Sequence, residues 1–546
     1  MDKKVIIKFN IIAIISIIII AICVTPISFQ NDTFYTIKIG EQIAENGIDM
    51  QEHFSWHEGL EYTYPHWLYD LITYHVYNFL GFKGIYILTC ILSCILGLSL
   101  YFVNVKKGKN HVVALVFSSI VLLLMQQFLA ARAQLVTFVL FLFTYYFIEQ
   151  FIETKKKRYA IGLIIIPILI ANFHLAVFPF YFILYLPYLA EYFIACRLEE
   201  NIYKKKYIAK LEKKIKKLEA KNKTTKKVQL EERVKKLKER DVEKEKARVD
   251  NILNKFNIKK HDSVKILIVI MIICLFTGFL TPLGTTPYTY LIKTLQGNTT
   301  QYISEHQPII LAIELGAFPV LLLAIVVIAF TNIKITISDL FMFGGLGILT
   351  IMSRRQASML LLIGCIILGK WIIEFIKNYS YGEYNSYSLI KKITSKLGIC
   401  IMFLLVINIG VVELENKIRD KFVDEKEYPV QACDYILENL NVDEMKLYNE
   451  YNYGSYILYR DIPVFIDSRA DLYSPEFNPG INIFTEAVDV LLGNEFYGPV
   501  FEKYGITHLL LKNDSYTNRI VSNVDTENYT AIYSDEYFTL YEKNNI

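Results

Sequence analysis

The sequence predicts an α-helical polytopic membrane protein with a cytoplasmic helical-hairpin insert and a C-terminal extracytoplasmic α/β domain. Three observations predict it. Of 546 residues, 53% are hydrophobic and only 21% charged, with a mean hydropathy of +0.32. Apolar runs recur along the chain at the length that crosses roughly 30 Å of hydrocarbon, about 20 residues. The formal net charge of +4 also conceals two opposed blocks. Residues 197–260 hold 24 Lys and Arg against 11 Asp and Glu, and residues 414–546 hold 11 against 24. This balance excludes a disordered, collagenous or small disulfide-stapled chain, and no block of it suits nucleic acid.

Eleven apolar runs are read as spans: 7–28, 83–104, 111–130, 134–152, 159–172, 174–196, 265–282, 309–331, 339–353, 356–376 and 397–413. Lys3, Lys4 and Lys8 precede the first in the manner of a signal peptide. Its end at Val24-Thr25-Pro26-Ile27-Ser28 is a poor cleavage site, so the run is kept as an uncleaved span. Lysine and arginine in short loops set the orientation. Lys106, Lys107 and Lys109, the run Lys155 to Arg158, the basic insert, and Lys391, Lys392 and Lys396 fall on one side with the N-terminus. That side is cytoplasmic and the acidic tail is external. The resulting divisions are 1–196, an N-terminal membrane module with a large first external loop at 29–82; 197–264, the insert; 265–413, a second membrane module; 414–428, a linker; and 429–546, the tail domain.

Within the insert, Ile208, Leu211, Ile215 and Leu218 step at helical spacing, as do Leu230, Val234 and Leu237. A coiled-coil hairpin turning at 221–225 follows, and its charge makes it a candidate surface for a cytoplasmic partner or anionic lipid. In the tail, Lys446-Leu447-Tyr448, Pro463 to Ile466, His508 to Leu511 and Tyr537 to Leu540 read as strands. Segments 430–440, 481–492 and 495–504 read as helices. Of eight cysteines, seven lie in or at the ends of apolar runs, and Cys433 alone belongs to a soluble segment; no metal-finger or redox spacing occurs.

Chemistry concentrates at the external level. The first loop opens with Asn31-Asp32 and passes through His53 and His57. It ends in a Trp67 to Leu80 run whose apolar face, including Leu68, Leu71, Ile72, Val76 and Phe79, suits the headgroup plane. Arg132 lies between two spans, Asn172 and His174 at the next external turn, Glu305 and His306 before the eighth span, and Arg354 and Arg355 between the ninth and tenth. Charged groups at bilayer depth cost about 2.5–3.5 kcal/mol each, so buried ones face a cavity or a partner. Arginines suit a phosphate because their planar donors bind its oxygens in pairs. A carboxylate such as Asp32 suits deprotonation of an acceptor. Each has a plainer reading: Asp32 as a helix cap or arginine partner, His174 as a satisfied turn residue, Arg354 and Arg355 as interfacial side chains. His53 and His57 lack an evident third ligand for a metal.

At the first loop, Asp32-Thr33-Phe34-Tyr35, Gly40-Glu41-Gln42-Ile43, His53-Phe54-Ser55-Trp56 and Trp67-Leu68 resemble the C-type (GT-C) membrane glycosyltransferase superfamily. Within it the chain is similar to protein O-mannosyltransferase and aminoarabinose transferase-like bacterial proteins. Arg132-Ala133-Gln134, Asn172-Phe173-His174, Tyr453-Gly454-Ser455-Tyr456 and Pro463 to Arg469 extend the resemblance to most of the chain outside the insert. It implies transfer of a sugar from a polyprenyl-phosphate donor in the membrane to an external glycan, lipid or protein acceptor. Asp32 would be the base and Arg132, Arg354 and Arg355 the phosphate ligands. His174, Glu305, His306 and His53 would be acceptor or metal candidates. His53 stands where the family pattern has an acidic residue, which leaves a divalent metal ion open as cofactor. Two other classes stay in view: a transporter or flippase for a lipid-linked precursor, which would place polar groups near the midplane, and a non-catalytic scaffold. The tail's Asp467, Arg469 and Asp471 read as an exposed polar cluster.

Overall fold

The computed structural model describes the chain except Met1 and residues 220–223, 240–246, 248–253, 298–301, 311–315, 380–385, 418 and 545–546. Each of the eleven apolar runs contains helix. In order these are Lys3–Val24, the second part of Trp67–Gly108, His111–Leu124, Gln134–Thr154, Lys157–Phe173, a broken run from Leu175 to Tyr203, Ser263–Leu275, Ala317–Phe330, Ile337–Met352, a run from Arg354 to Tyr379, and Lys396–Lys417. Among the described residues, six helices are long and apolar enough to cross a membrane and four more apolar helices are shorter. By helix length alone, fewer candidate crossings stand among the described residues than the sequence pattern predicts.

The bundle's outer face is apolar in the way a lipid-facing surface requires. Ile87, Ile91 and Ile95 form an exposed stripe at four-residue spacing, while Leu96, Leu100 and Val103 of the same helix are buried. Inside, Phe138, Tyr145, Leu122 and Ile363 belong to one large core. A charged cluster sits in this bundle, where Lys370 pairs with both oxygens of Asp339 at 2.8 Å. Lys107 pairs with Glu149, which also accepts from the Tyr188 hydroxyl. These residues occupy the ends of helices opposite the first external loop, and their charges are mutually paired.

The first external loop does not stand apart. Helix Asn31–Asn46 packs on Trp67–Gly108, where Gly40 is required: a Cβ there would lie 2.1 Å from the Asp70 carbonyl oxygen. Gly81, at φ 62°, breaks the second helix into an external part and a membrane part. In this first part Tyr69, Asp70 and Thr73 are buried, and of the predicted apolar face only Phe79, 83% exposed, and Leu80 stand free, whereas Trp67 and Leu71 pack against the core shared with the tail.

The tail builds a four-stranded sheet from β3 (Leu447–Asn449), β4 (His508–Lys512), β5 (Tyr529–Ser534) and β6 (Phe538–Lys543), in the order β3-β4-β6-β5. The first two strands of the chain, β1 (Phe256–Asn257) and β2 (Ile335–Thr336), form a separate short parallel pair. β3 runs parallel to β4, and the other pairings are antiparallel. Strand β5 and helices Gly454–Tyr459 and Tyr516–Asn523 were not anticipated. The predicted strand at Pro463 to Ile466 does not join the sheet. Asn449 instead accepts from the Phe465 amide at 2.9 Å and donates to the Ile466 carbonyl at 2.7 Å, capping the groups a ladder would use. Gly454 enters this corner, where a Cβ would sit 2.0 Å from the Ile466 oxygen.

Loop and tail share one hydrophobic core, from Phe34 and Tyr62 to Phe465 and Leu510. Val464 bridges to Ser55, the Trp56 indole donates to the Leu447 carbonyl at 3.0 Å, and Asn478 bonds both backbone groups of Glu61. Asp467 and Arg469 correct the expectation of an exposed cluster, since both are buried. Arg469 reaches Asp467 at 2.6 Å and Glu52 of the first loop at 2.6 Å, with Tyr473 also donating to Asp467. The 29–82 segment is thus packed with the tail around one core.

In the insert, helices Lys205–Glu219 and Thr224–Lys238 lie against each other with Leu211 and Val234 buried and Lys238 paired to Glu212 at 2.8 Å. Most of the predicted turn and most of the second arm beyond Glu239 fall outside the described residues.

Candidate functional site

A cavity of about 950 Å³ opens between the membrane helices, the first external loop and the tail. Asp32, Arg132, His174, Glu305, His306 and Arg355 all line it. A smaller cavity of about 230 Å³ adjoins it, lined by Gln30, Gln127, Arg354 and again by Arg132, Glu305 and Arg355. Residues from five separate stretches of sequence therefore meet at one place. His53 does not: it pairs with Asp49 at 2.7 Å on the loop's outer edge and lines neither cavity. Arg354 faces the smaller cavity alone, and its guanidinium donates to the Ser304 carbonyl at 3.4 Å.

Local structure fixes each group. Asp32 sits in the first turn of helix Asn31–Asn46, where unpaired backbone N–H groups favour a negative charge. Beside it, Asn31 donates to the Tyr451 carbonyl at 3.0 Å, tying this helix end to the tail. Arg132 occupies a tight turn whose amide bonds to Ala130, and Thr33 donates to Ala131 in the same turn. Glu305 lies in the short helix Ser304–His306, which rests on the turn Arg354–Gln356 through Arg354 N–H to the Gln307 carbonyl. His174 ends helix Lys157–Phe173, its ring bonded to Thr137 at 3.0 Å and facing His66 at a centroid distance of 4.9 Å.

Arg132 is the hub. Its guanidinium stands 3.0 Å from Asp32 Oδ2 and 3.3 Å from Glu305 Oε1. The second oxygen of Asp32 has no hydrogen-bond partner among the described residues, and the side chain is 24% exposed. Burial would raise the Glu305 carboxyl, but Arg132 and Arg355 outweigh it and hold the group below its usual range. Burial together with Arg355 depresses His306 to about 4, and burial with Arg355 and Arg132 depresses His66 to about 3. Both rings are therefore neutral near pH 7. Among the described residues Arg355 forms no ion pair with a carboxylate. No three His, Cys, Asp or Glu side chains there come together as a metal site, and Asp32 and Glu305 are both turned to Arg132.

Sequence reasoning missed part of the wall. His66 lines it and carried no signal beyond its place between Pro65 and Trp67. Tyr35, Tyr62, Tyr290, Tyr302 and Tyr451 also line it. Asp471 is there too, with the Tyr290 hydroxyl 2.5 Å from it, and burial raises its carboxyl above the usual range. Anionic groups, guanidinium groups and aromatic rings thus line one chamber at the rim of an apolar bundle. Such a wall can hold a phosphate, take up a proton and stack against sugar rings.

The chain shares its fold with two solved oligosaccharyltransferases, and its several long apolar helices mark a multi-pass membrane protein. It is similar to the archaeal oligosaccharyltransferase AglB from Archaeoglobus fulgidus in complex with an inhibitory peptide and a dolichol-phosphate. That match has TM-score 0.50 and 11% identity, over 92% of this chain and 69% of the other. It is also similar to the Archaeoglobus fulgidus oligosaccharyltransferase tethered to an acceptor peptide containing the NVT sequon, with TM-score 0.51 and 10% identity, over 98% and 74%. No protein-family model matches the chain, and no curated protein matches it.

Proposed function

We propose that the protein is an inverting glycosyltransferase that moves a sugar from a polyprenyl-phosphate donor to an acceptor on the external face. One observation carries the reading: Asp32, Arg132, Glu305 and Arg355 meet on the wall of one cavity between the bundle and the external domain. The neighbours that share the fold hold a dolichol-phosphate in one case and an acceptor peptide in the other, which supports a lipid-linked donor here. The acceptor class stays as read from the sequence, an envelope glycan, a lipid or a protein.

In the proposed step the acceptor's proton passes to the Asp32 carboxylate. The acceptor's electron pair forms a bond to the anomeric carbon. The bond from that carbon to the phosphate oxygen breaks, and its pair stays on the lipid phosphate. Arg132 and Arg355 offset the charge that grows there, in a site where fixed donors act at low dielectric; Arg354 approaches from the smaller cavity. Attack opposite the leaving phosphate inverts the anomeric centre. His174 and the His306 ring, neutral near pH 7, serve as polar contacts to acceptor or sugar. A divalent ion, left open as cofactor by the sequence, would be held by Asp32 and Glu305 and would offset charge on the departing phosphate. Eleven crossings with the N-terminus and insert cytoplasmic, and the tail outside, complete this reading. The insert is a candidate docking surface for a cytoplasmic partner.

The test uses purified protein in nanodiscs with a panel of polyprenyl-phosphate sugars and a crude cell-envelope fraction. Mass spectrometry should detect free lipid phosphate from at least one donor. No release from any donor, with folding verified, would move the reading to transport or scaffolding.

A further inference from the structure

We infer that Glu305 holds, in the donor-free protein, the place on Arg132 that the lipid phosphate takes, and that its charge sets which donor headgroups the site accepts. The inference rests on the transferase reading above, and it gives Glu305 a specificity-determining role distinct from acceptor or metal binding.

Four observations lead to it. The two carboxylates on Arg132 are unequal: Asp32 is at 3.0 Å with its side chain 24% exposed, while Glu305 is at 3.3 Å and 47% exposed. Charge-assisted contacts between these groups are ordinarily shorter, about 2.7–2.9 Å, so Glu305 is the looser partner. Arg132 still has capacity, since among the described residues its buried Nε has no hydrogen-bond partner. Arg132, Glu305 and Arg355 line both cavities, which places the Arg132–Glu305 pair on the wall the two share. Finally, the Glu305 backbone is held independently of its carboxylate, its carbonyl accepting from the Ser353 hydroxyl at 3.3 Å. The side chain can therefore rotate off Arg132 while its turn stays in place.

Carboxylate and phosphate oxygens present the same acceptors to a guanidinium fork. A phosphate arriving at Arg132 thus displaces Glu305 and then feels its charge at close range. That repulsion scales with the charge of the ligand. A headgroup linked through one phosphate is penalised once, and one linked through a diphosphate about twice.

The test measures binding of two probe lipids to the full-length protein in neutral nanodiscs: the methyl ester of polyprenyl monophosphate, with one charge, and that of polyprenyl diphosphate, with two. Wild type is compared with Glu305→Gln and Glu305→Asp. Glu305→Gln should tighten the first roughly fivefold and the second roughly twenty-five-fold, consistent with a partly exposed charge. Glu305→Asp, which keeps the charge, should retain the wild-type ratio; a merely structural role for Glu305 would not move the ratio at all. Methyl phosphate without a lipid tail should bind at least a hundredfold more weakly. Unchanged or weakened binding of both lipids in Glu305→Gln overturns the inference and leaves the transferase reading standing. Equally tight binding of methyl phosphate would assign the place to a free phosphate and overturn the lipid assignment. Failure of wild type and both variants to bind either lipid would overturn the donor reading itself.

Discussion

Arg132 and Asp32 face each other at 3.0 Å, joining a tight turn of the helical bundle to the first turn of helix Asn31–Asn46. The contact holds the proposed base and the main phosphate ligand in fixed register. Arg132→Lys should break it, because a single ammonium cannot span both Asp32 and Glu305 as the planar fork does. We expect kcat/KM to fall about tenfold to a hundredfold, measured as release of lipid phosphate at a series of donor concentrations.

Arg355 should act on ligand and neighbours alike. Burial depresses His306 to about 4 and His66 to about 3, and the Arg355 guanidinium is the largest charge adding to it. In Arg355→Ala both rings should titrate closer to the ordinary histidine value, readable by NMR of labelled histidine, and the KM for donor should rise about tenfold. Unmoved histidines would place the Arg355 charge elsewhere.

Arg469 locks the first loop to the tail through buried contacts to Glu52 and Asp467. Arg469→Met would leave two carboxylates buried without their cation, a change that typically costs about 3–5 kcal/mol. A large drop in unfolding temperature is expected, larger than for Tyr473→Phe, which removes one hydrogen bond to the Asp467 carboxylate worth about 1.5–3 kcal/mol.

His57 gives the external domain an acid-sensitive point. Burial depresses it to about 4, against a partial opposing effect from its bond to the Phe465 carbonyl. Between pH 6.5 and 4 the unfolded chain binds a proton that the folded one does not. Stability therefore falls as pH drops through that window, by up to about 3 kcal/mol from this group. His57→Gln should flatten the slope of unfolding temperature against pH in that range.

Much of the site was legible because membrane topology carries spatial information. Asp32, Arg132, Glu305 and Arg355 stand far apart in sequence but at the same end of their helices, and span periodicity placed them at one level. Periodicity could not say which of them touch, nor that His53, at that level too, turns outward to Asp49. The buried lock was invisible for another reason. Glu52 and Arg469 each read as a polar loop residue, and only their pairing makes burial tolerable. Strand Pro463 to Ile466 failed similarly: its apolar run is real, but Asn449 takes its backbone groups. Helix Gly454–Tyr459 was hidden because it is a short helix opening on a glycine, which the propensity of that residue argues against.

The central claim is that Asp32 takes the acceptor's proton while the arginines hold the donor. Single-turnover transfer by Asp32→Asn in nanodiscs, with donor binding measured on the same sample, tests it most directly. The account predicts loss of transfer by about a thousandfold or more with donor still bound, since general bases contribute about a hundredfold to ten-thousandfold. Transfer at the wild-type rate in that variant would contradict it and move the base elsewhere in the cavity.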